Sequence, residues 1–206
     1  MTHPAIRHIV FDIGKVLIRY DPHLGLMDAI PDDEERRWFL ATVCTDAWNL
    51  EQDRGRPWPE AEGLLIAEWP DQADRIRAFR AGWPKMVHDR IAPTVALFEQ
   101  MIDEGRDVTM LTNFAADTFV EARGLFPFLN RPRGVTVSGE VGLIKPDPAI
   151  YALHQQTFDL EPAATLFIDD NAANVAAAQG VGWRAVQYVD HAGLVADLAR
   201  LGVLDA

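Results

Sequence analysis

Hydrophobic positions along the chain form five short, continuous runs that end in polar or small residues. The runs cover residues 8–11, 107–111, 135–137, 165–168 and 184–188. Continuous apolar character is typical of strands that are covered on both faces, as in a parallel sheet. The pattern therefore predicts five parallel strands.

Between the later runs, residues that start and stop helices predict helical connections. Pro93 suits a first helical position, Gly105 suits the position after a last turn, and Asn171 and Asp190 are candidate N-caps. Strands that alternate with helices are typical of a doubly wound α/β fold. If the first strand is central, the winding predicts a sheet of about five strands in the order 3-2-1-4-5.

Residues 21–88 break this alternation and contain no convincing strand. Helical patterns recur instead at 34–43, 59–68 and 72–83, and five of the six tryptophans lie in this stretch. We interpret it as a small helical cap inserted after the first strand, with residues 1–20 and 89–206 forming the α/β core. Most of these tryptophans are expected to fill the interior of the cap.

Composition narrows the class of protein. The 206 residues are 49% hydrophobic and 24% charged, which excludes collagen-like and disordered chains. A net charge of -12 disfavours binding to nucleic acids or to anionic membranes. The single Cys44 excludes an internal disulfide, and no signal peptide or membrane span is evident, so we expect a cytoplasmic protein. No feature of the sequence indicates an oligomeric state.

Polar residues follow the predicted strands directly. Asp12 follows the first strand, Thr112 and Asn113 follow the second, Lys145 lies in a loop beyond the third, and Asp169-Asp170 end the fourth. Ligands of open α/β sheets bind at the carboxyl ends of the strands, where the winding direction reverses. The sequence therefore predicts that these residues share one site.

The chemistry of this set points to phosphate transfer. Crowded carboxylates need a cation to stay ionised, and Mg²⁺ prefers oxygen ligands. A carboxylate beside Mg²⁺ can attack phosphorus, while Lys145 and Thr112 stabilise the phosphoryl group. Each residue alone has an ordinary explanation, such as a turn, a helix cap or a solvated lysine. Four separate segments meeting at one predicted edge favour the functional interpretation.

Four motifs resemble the haloacid dehalogenase-like hydrolase superfamily. They are Phe-Asp-Ile-Gly-Lys-Val-Leu at 11–17, Leu-Thr-Asn at 111–113, Gly-Leu-Ile-Lys-Pro-Asp-Pro at 142–148 and Phe-Ile-Asp-Asp at 167–170. They occur in the order of that family and span nearly the whole chain. The resemblance implies a Rossmann-like core with a helical cap and Mg²⁺ as cofactor.

The resemblance also implies residue roles. Asp12 would be the nucleophile and a metal ligand, and Gly14 would offer its backbone carbonyl to the metal. The remaining positions divide into phosphate contacts and metal ligands, which are Thr112, Asn113 and Lys145 for phosphate and Asp169 and Asp170 for Mg²⁺. Asn174 stands where many relatives carry another acidic residue.

Gly14 departs from the pattern of many family phosphatases, which place an Asp there as general acid and base. A subgroup that resembles sugar-phosphate phosphatases, including α-glucose-1-phosphate phosphatases, also has glycine at this position. Since an anomeric hydroxyl is a better leaving group than a plain alcohol, a sugar 1-phosphate is one candidate substrate. In the cap, Trp48, Asn49 and Arg54 are expected to contact a polar substrate, although Trp48 also suits the cap interior and Arg54 a turn before Gly55.

The sequence thus predicts a Mg²⁺-dependent phosphomonoester hydrolase that acts through an aspartyl-phosphate on a small phosphorylated metabolite. Two other classes stay open. A 2-haloacid dehalogenase of the same superfamily would carry Ser-Asn in place of Asp169-Asp170. A non-catalytic phosphate-binding or receiver-like protein is compatible with Gly14, although receivers carry their acidic pair early in the chain.

Overall fold

A five-stranded parallel sheet organises the protein, whose computed structural model describes residues 4–204. The strands are β1 (His8–Phe11), β2 (Asp107–Thr112), β3 (Val135–Val137), β4 (Thr165–Asp169) and β5 (Arg184–Gln187). Their order is β3-β2-β1-β4-β5, and every pairing is parallel. The predicted fold class and strand order are confirmed.

Both faces of the sheet are covered because successive strand side chains point to opposite sides. On one face, Val10 packs with Tyr151 and Phe167 in a buried cluster. On the other, Ile9 and Phe11 belong to a larger buried cluster. This double burial explains why the strands read as continuous apolar runs.

Helices connect the strands in alternation. They are α7 (Ala92–Asp103), α8 (Ala116–Leu125), α9 (Ser138–Val141), α10 (Pro148–Thr157), α11 (Ala172–Gly180) and α12 (His191–Arg200). The side chains of Asp147, Asn171 and Asp190 accept hydrogen bonds from backbone N–H groups of the first turns of α10, α11 and α12. The helix starts expected at these residues are therefore present.

Between β1 and α7 the chain is helical, and we call residues 21–88 the cap segment. Its α-helices are α1 (Pro22–Leu26), α2 (Asp33–Thr42), α3 (Asp46–Asp53), α4 (Trp58–Glu68), α5 (Ala73–Ala81) and α6 (Trp83–Met86), with a 3₁₀ turn at Pro70–Gln72. The division into core and cap stays a prediction.

Two local predictions for the cap segment were wrong. The expected helix over 72–83 breaks at Gly82, where the backbone approaches Gly25 so closely that a Cβ would lie 2.1 Å from the Gly25 carbonyl oxygen. Helix α3 was not expected, although its N-cap was visible in the sequence: the Thr45 hydroxyl accepts a hydrogen bond from the Trp48 backbone N–H.

The cap segment is joined to the core by polar contacts as well as by apolar packing. Arg80 of α5 pairs with Asp117 and Glu121 of α8. The Trp58 indole N–H donates to Asp117 at 3.2 Å. The Ser138 hydroxyl donates to the backbone carbonyl of Asp53. These contacts hold helices of the cap segment over the carboxyl edge of the sheet.

Across residues 4–204, no helix has both the length and the apolar character needed to cross a lipid bilayer.

Candidate active site

Three acidic side chains converge where β1 and β4 end side by side. The Asp12 backbone N–H donates to the Ile168 carbonyl at 2.9 Å, which sets Asp12 level with the end of β4. One carboxylate oxygen from each of Asp12, Asp169 and Asp170 lies within 4.8 Å of the other two. The convergence follows from the strand order, because β1 lies between β2 and β4.

A buried lysine connects two of these carboxylates. The Lys145 Nζ lies 2.8 Å from Asp12 Oδ1 and 2.7 Å from Asp169 Oδ2, and it donates to the Leu111 carbonyl at 3.0 Å. Burial by itself lowers the pKa of Lys145, but attraction by the two carboxylates outweighs burial and raises it. Lys145 is therefore a fixed positive charge in the site.

Asp12 and Asp170 resist ionisation in this setting. Burial, together with repulsion from Asp169, raises the pKa of Asp12 to about 6 despite the attraction of Lys145. Burial and the same repulsion raise the pKa of Asp170. A divalent cation would reverse both effects, and three carboxylate donors this close together suit a hard, oxygen-preferring ion such as Mg²⁺. The residues present thus fit the cofactor that the sequence predicted.

Asp169 is held by more partners than the other two acids. Its Oδ1 accepts from the Asn171 backbone N–H at 2.8 Å, and both of its oxygens lie 3.0 Å from the Asn174 amide nitrogen. With Lys145 on Oδ2, Asp169 is well placed to orient that lysine. Asn174, whose role the sequence left open, is a neutral donor to Asp169.

Thr112, the last residue of β2, and Asn113, the next residue along the chain, have different surroundings. The Thr112 hydroxyl is buried and has no hydrogen-bond partner within residues 4–204, so it is available to a ligand, although Thr112 does not line the cavity described below. The Asn113 amide instead holds the backbone of Lys145: its Nδ2 donates to the Lys145 carbonyl at 3.0 Å and its Oδ1 accepts from the Lys145 N–H at 2.9 Å. The Asn113 side chain thus positions the lysine loop.

A cavity of about 290 Å³ separates the sheet edge from the cap segment. Its charged floor comprises Asp12, Lys145 and Asp170. Its apolar wall comprises five side chains from both parts of the chain, namely Ile18, Trp58, Trp83, Val87 and Phe114. Gly14, Asn49 and Asn113, which the sequence predicted as site residues, also line it.

Two of the predicted substrate contacts lie elsewhere. Trp48 packs edge-on against Trp58 and Phe79, with ring centroids 5.8 and 5.6 Å apart, and does not line the cavity. Arg54 is half exposed and lies 3.6 Å from Glu51. The structure therefore assigns Trp48 to the cap interior and Arg54 to the surface near the end of α3.

Asp53 lines the cavity, although the sequence had not singled it out. It is the last residue of α3, and burial, with a smaller repulsion from Asp12, raises its pKa to about 7. A signal was present in the sequence: Thr45 begins a helix whose last turn carries Asp53 just before Gly55, which has a φ of +109°. What could not be read was that this turn faces the strand ends.

Comparison with known proteins agrees with this geometry. Residues 6–182 match the family model described as "haloacid dehalogenase-like hydrolase". The chain belongs to the haloacid dehalogenase-like hydrolase family. It is therefore a hydrolase, and the family expectation drawn from the four motifs is confirmed.

Individual relatives add detail. The chain is 30% identical over 194 residues to the sesquiterpene phosphatase astK of Aspergillus oryzae, covering 93% of this chain and 94% of that protein. The HAD family enzyme bt-2542 of Bacteroides thetaiotaomicron, solved with magnesium and inorganic phosphate, shares 20% identity and a TM-score of 0.71, covering 90% of this chain and 96% of that one. A Porphyromonas gingivalis protein described as a "predicted HAD-like family hydrolase" gives a TM-score of 0.74 at 21% identity, covering 98% of this chain and 100% of its own.

Proposed function

We propose that this protein is a Mg²⁺-dependent phosphomonoester hydrolase that acts on a small phosphorylated metabolite through an aspartyl-phosphate. The observation that carries the proposal is the contact of Lys145 with both Asp12 and Asp169, beside three carboxylates close enough to share one cation. A phosphatase among its relatives and a structurally similar enzyme that holds magnesium and phosphate support it.

In the proposed reaction, Asp12 forms a bond to phosphorus while the bond from phosphorus to the substrate oxygen breaks. Lys145 holds Oδ1 of Asp12, which leaves Oδ2 for the attack. Water then attacks the phosphorus of the aspartyl-phosphate, the bond to Asp12 breaks, and inorganic phosphate leaves. Bound Mg²⁺ would supply positive charge that draws together the carboxylates and a phosphate oxygen. Lys145 and the Thr112 hydroxyl stabilise the negative phosphoryl oxygens.

The test is release of inorganic phosphate by the purified protein with Mg²⁺ and with EDTA. We expect release that requires Mg²⁺ and that falls about 10⁴-fold or more in Asp12→Asn, because the amide cannot form the covalent intermediate. Asp46→Asn, at an exposed position in α3, is the matched control and should match the wild type. Phosphate binding with no turnover would identify a non-catalytic phosphate binder. Halide release from a 2-haloacid that persists in EDTA would identify a dehalogenase.

The apolar wall bears on the substrate class. All five of its side chains are apolar or aromatic, and the Trp58 indole N–H already donates a hydrogen bond to Asp117 of α8. Such a wall favours a phosphate ester with an apolar organic group over a sugar phosphate, because apolar surfaces gain free energy when they leave water together. The similarity to a sesquiterpene phosphatase supports the same choice.

A sugar phosphate is the second candidate, favoured by Gly14 and by the polar side chain of Asn49 in the cavity. A comparison of kcat/KM for prenyl phosphates, glucose 1-phosphate and glucose 6-phosphate separates the two. We expect the prenyl phosphates to rank first. If glucose 1-phosphate ranks first, the sugar-phosphate candidate replaces the apolar one. A cytoplasmic location stays a prediction of the sequence.

A further inference from the structure

Asp53 brings a carboxyl group of the cap segment into the cavity that contains Asp12. The Ser138 hydroxyl fixes its backbone carbonyl, and the Ala115 backbone N–H, at the start of α8, interacts with its carboxyl group. Two groups of the core therefore hold this residue of the cap segment in place. These contacts set the position of Asp53, so this position does not depend on the conformation of a long, flexible side chain.

This position is unfavourable for a carboxylate. Asp53 ends α3, where the helix dipole repels negative charge. Burial, the largest influence, and repulsion from Asp12 raise its pKa to about 7, while the Ala115 N–H and the more distant charge of Lys145 act in the other direction. Within residues 4–204, no Lys, Arg or His forms an ion pair with it. A half-buried acid with no ion-pair partner is unfavourable for a fold, and such groups cluster at sites that use them.

The cavity needs a group of this kind. The alcohol leaves as an alkoxide unless it receives a proton, and the attacking water must lose one. Gly14, two residues beyond the proposed nucleophile, has no side chain with which to do either. The other titratable groups that line the cavity are Asp12, Lys15, Tyr20, Lys145 and Asp170.

None of those five suits the task as well as Asp53. Asp12 is the proposed nucleophile, Asp170 a proposed metal ligand, and Lys145 is bound to two carboxylates. Burial and nearby acids raise the pKa of Tyr20 further above its ordinary value, so its phenol is a weak acid that stays protonated and cannot accept a proton from water. Lys15 is an exposed cation.

We propose that Asp53 is the general acid and base of this hydrolase, supplied by the cap segment in place of a carboxyl group that Gly14 cannot provide. The inference rests on the proposed phosphatase function. In the first half-reaction, the Asp53 carboxylic acid gives its proton to the ester oxygen as the Asp12–phosphorus bond forms and the phosphorus–oxygen bond to the alcohol breaks. In the second, the Asp53 carboxylate takes a proton from water as the oxygen of that water bonds to phosphorus and releases Asp12. Asp53 thus ends protonated, as it began.

The decisive experiment compares Asp53→Asn with wild type on two substrates in single-turnover and burst assays with Mg²⁺. One substrate is an alkyl phosphate that the wild type hydrolyses, and the other is p-nitrophenyl phosphate, whose leaving group needs no proton. Asn keeps an oxygen that can face the Ala115 N–H and has nearly the same shape, so the variant should fold with a Tm no lower than that of the wild type. Asp46→Asn in the same helix is the control for loss of one negative charge.

We expect Asp53→Asn to lower the single-turnover rate with the alkyl phosphate by about 10²–10⁴-fold. With p-nitrophenyl phosphate it should release one equivalent of p-nitrophenol in a burst near the wild-type rate, followed by slow turnover, because only the second half-reaction then needs the base. With the alkyl phosphate, the wild-type rate should fall as pH rises through about 7, where Asp53 loses its proton, and the variant should lack this decline.

Equal losses on both substrates with no burst would overturn the proposal, as would a variant that behaves like Asp46→Asn. These outcomes differ from failure of the proposed function. If the wild type releases no phosphate, the function itself is wrong. If the wild type is active and Asp12→Asn is not, while Asp53→Asn shows no dependence on the leaving group, only the role of Asp53 is wrong.

Discussion

The charged floor and the apolar wall of one cavity are built in different ways. The floor comes from Asp12 and Asp170 beside strand ends and from Lys145 in a loop, and this lysine makes contacts of 2.7–3.0 Å with two carboxylates and a backbone carbonyl. The wall comes from helices and loops of both parts of the chain and is held by aromatic contacts, such as Trp83 with Phe114 at 5.8 Å between ring centroids. The sheet largely sets which polar groups contact the floor residues. The contacts of the wall residues depend instead on how the cap segment packs.

This difference suggests a division of labour. In the proposed reaction, the strand ends and the Lys145 loop would hold the attacking oxygen and the positive charge at fixed distances, as phosphoryl transfer requires. The cap segment then determines which organic group fits and, in our proposal, supplies the proton. Changes in the floor should therefore abolish catalysis for every substrate, whereas changes in the wall should redistribute activity among substrates.

The largest effect should come from breaking the floor at Lys145. Lys145→Met leaves Asp12 and Asp169 buried without their cation, so we expect a loss of about 3–5 kcal/mol in the free energy of unfolding. Tm should fall by roughly 10 °C in a chain of this size. Activity should be lost with every phosphate ester, because no other cationic side chain contacts Asp12 within residues 4–204.

Lys85→Met provides the matched control for the loss of a lysine. Lys85 pairs with Asp28 on the surface, where both side chains are exposed to solvent. Its removal should leave Tm and kcat/KM unchanged, because exposed ion pairs contribute little. If Lys145→Met and Lys85→Met had the same Tm, the contacts of Lys145 with Asp12 and Asp169 would not stabilise the fold as we expect.

An intermediate effect should come from making the wall polar without changing its shape. Val87→Thr places a hydroxyl against the cavity, and an apolar substrate would displace the water that solvates it. We expect kcat/KM for a prenyl phosphate to fall by about tenfold, since burial of an unpaired hydroxyl costs about 1–3 kcal/mol. Inhibition by inorganic phosphate, which contacts the floor, should not change. An equal fall in kcat/KM for prenyl and sugar phosphates would contradict the idea that the wall affects substrate choice while the floor affects catalysis.

The smallest effect should come from Arg54, which the sequence placed at the substrate. Since its side chain lies near Glu51 and outside the cavity, Arg54→Ala should change kcat/KM by less than about twofold with any phosphate ester. Steady-state kinetics with the best substrate measure this directly. A tenfold rise in KM would show that Arg54 reaches the substrate after binding and would extend the wall toward the end of α3.

The positions of residues at strand ends were predictable because a small number of physical rules is enough to determine them. Continuous apolar runs identified buried parallel strands, and parallel strands end at one edge, so Asp12 and Asp169-Asp170 had to be near each other once β1 was taken as central. Lys145 was harder, since it lies in a loop, and strand geometry placed it only beyond the third strand. Its contacts with both carboxylates depend on the path of the loop that carries it, which no periodicity encodes.

The surroundings of residues in the cap segment were less predictable, because several helices pack together there and the sequence does not show which face of each helix is buried. Trp48 and Asn49 are neighbours in sequence, yet one packs against Trp58 and Phe79 and the other lines the cavity. Hydrophobicity would have favoured the observed burial of Trp48. Asp53 lies four residues beyond Asn49 and therefore one helical turn along the same face, but this relation could be used only once residues 46–53 were known to form a helix.

The sequence by itself determined the alternation of strands and helices, the strand order, the membership of the hydrolase family and the acidic cluster at the strand ends. These features follow from short-range patterns and from the geometry that all parallel sheets share. Tertiary structure alone decided that Asn113 holds the Lys145 backbone, that Asn174 supports Asp169, and that Asp53 lines the same cavity as Asp12. Such pairings join residues that lie between 5 and 41 positions apart in the chain, and they are fixed by packing between elements, which no local pattern specifies.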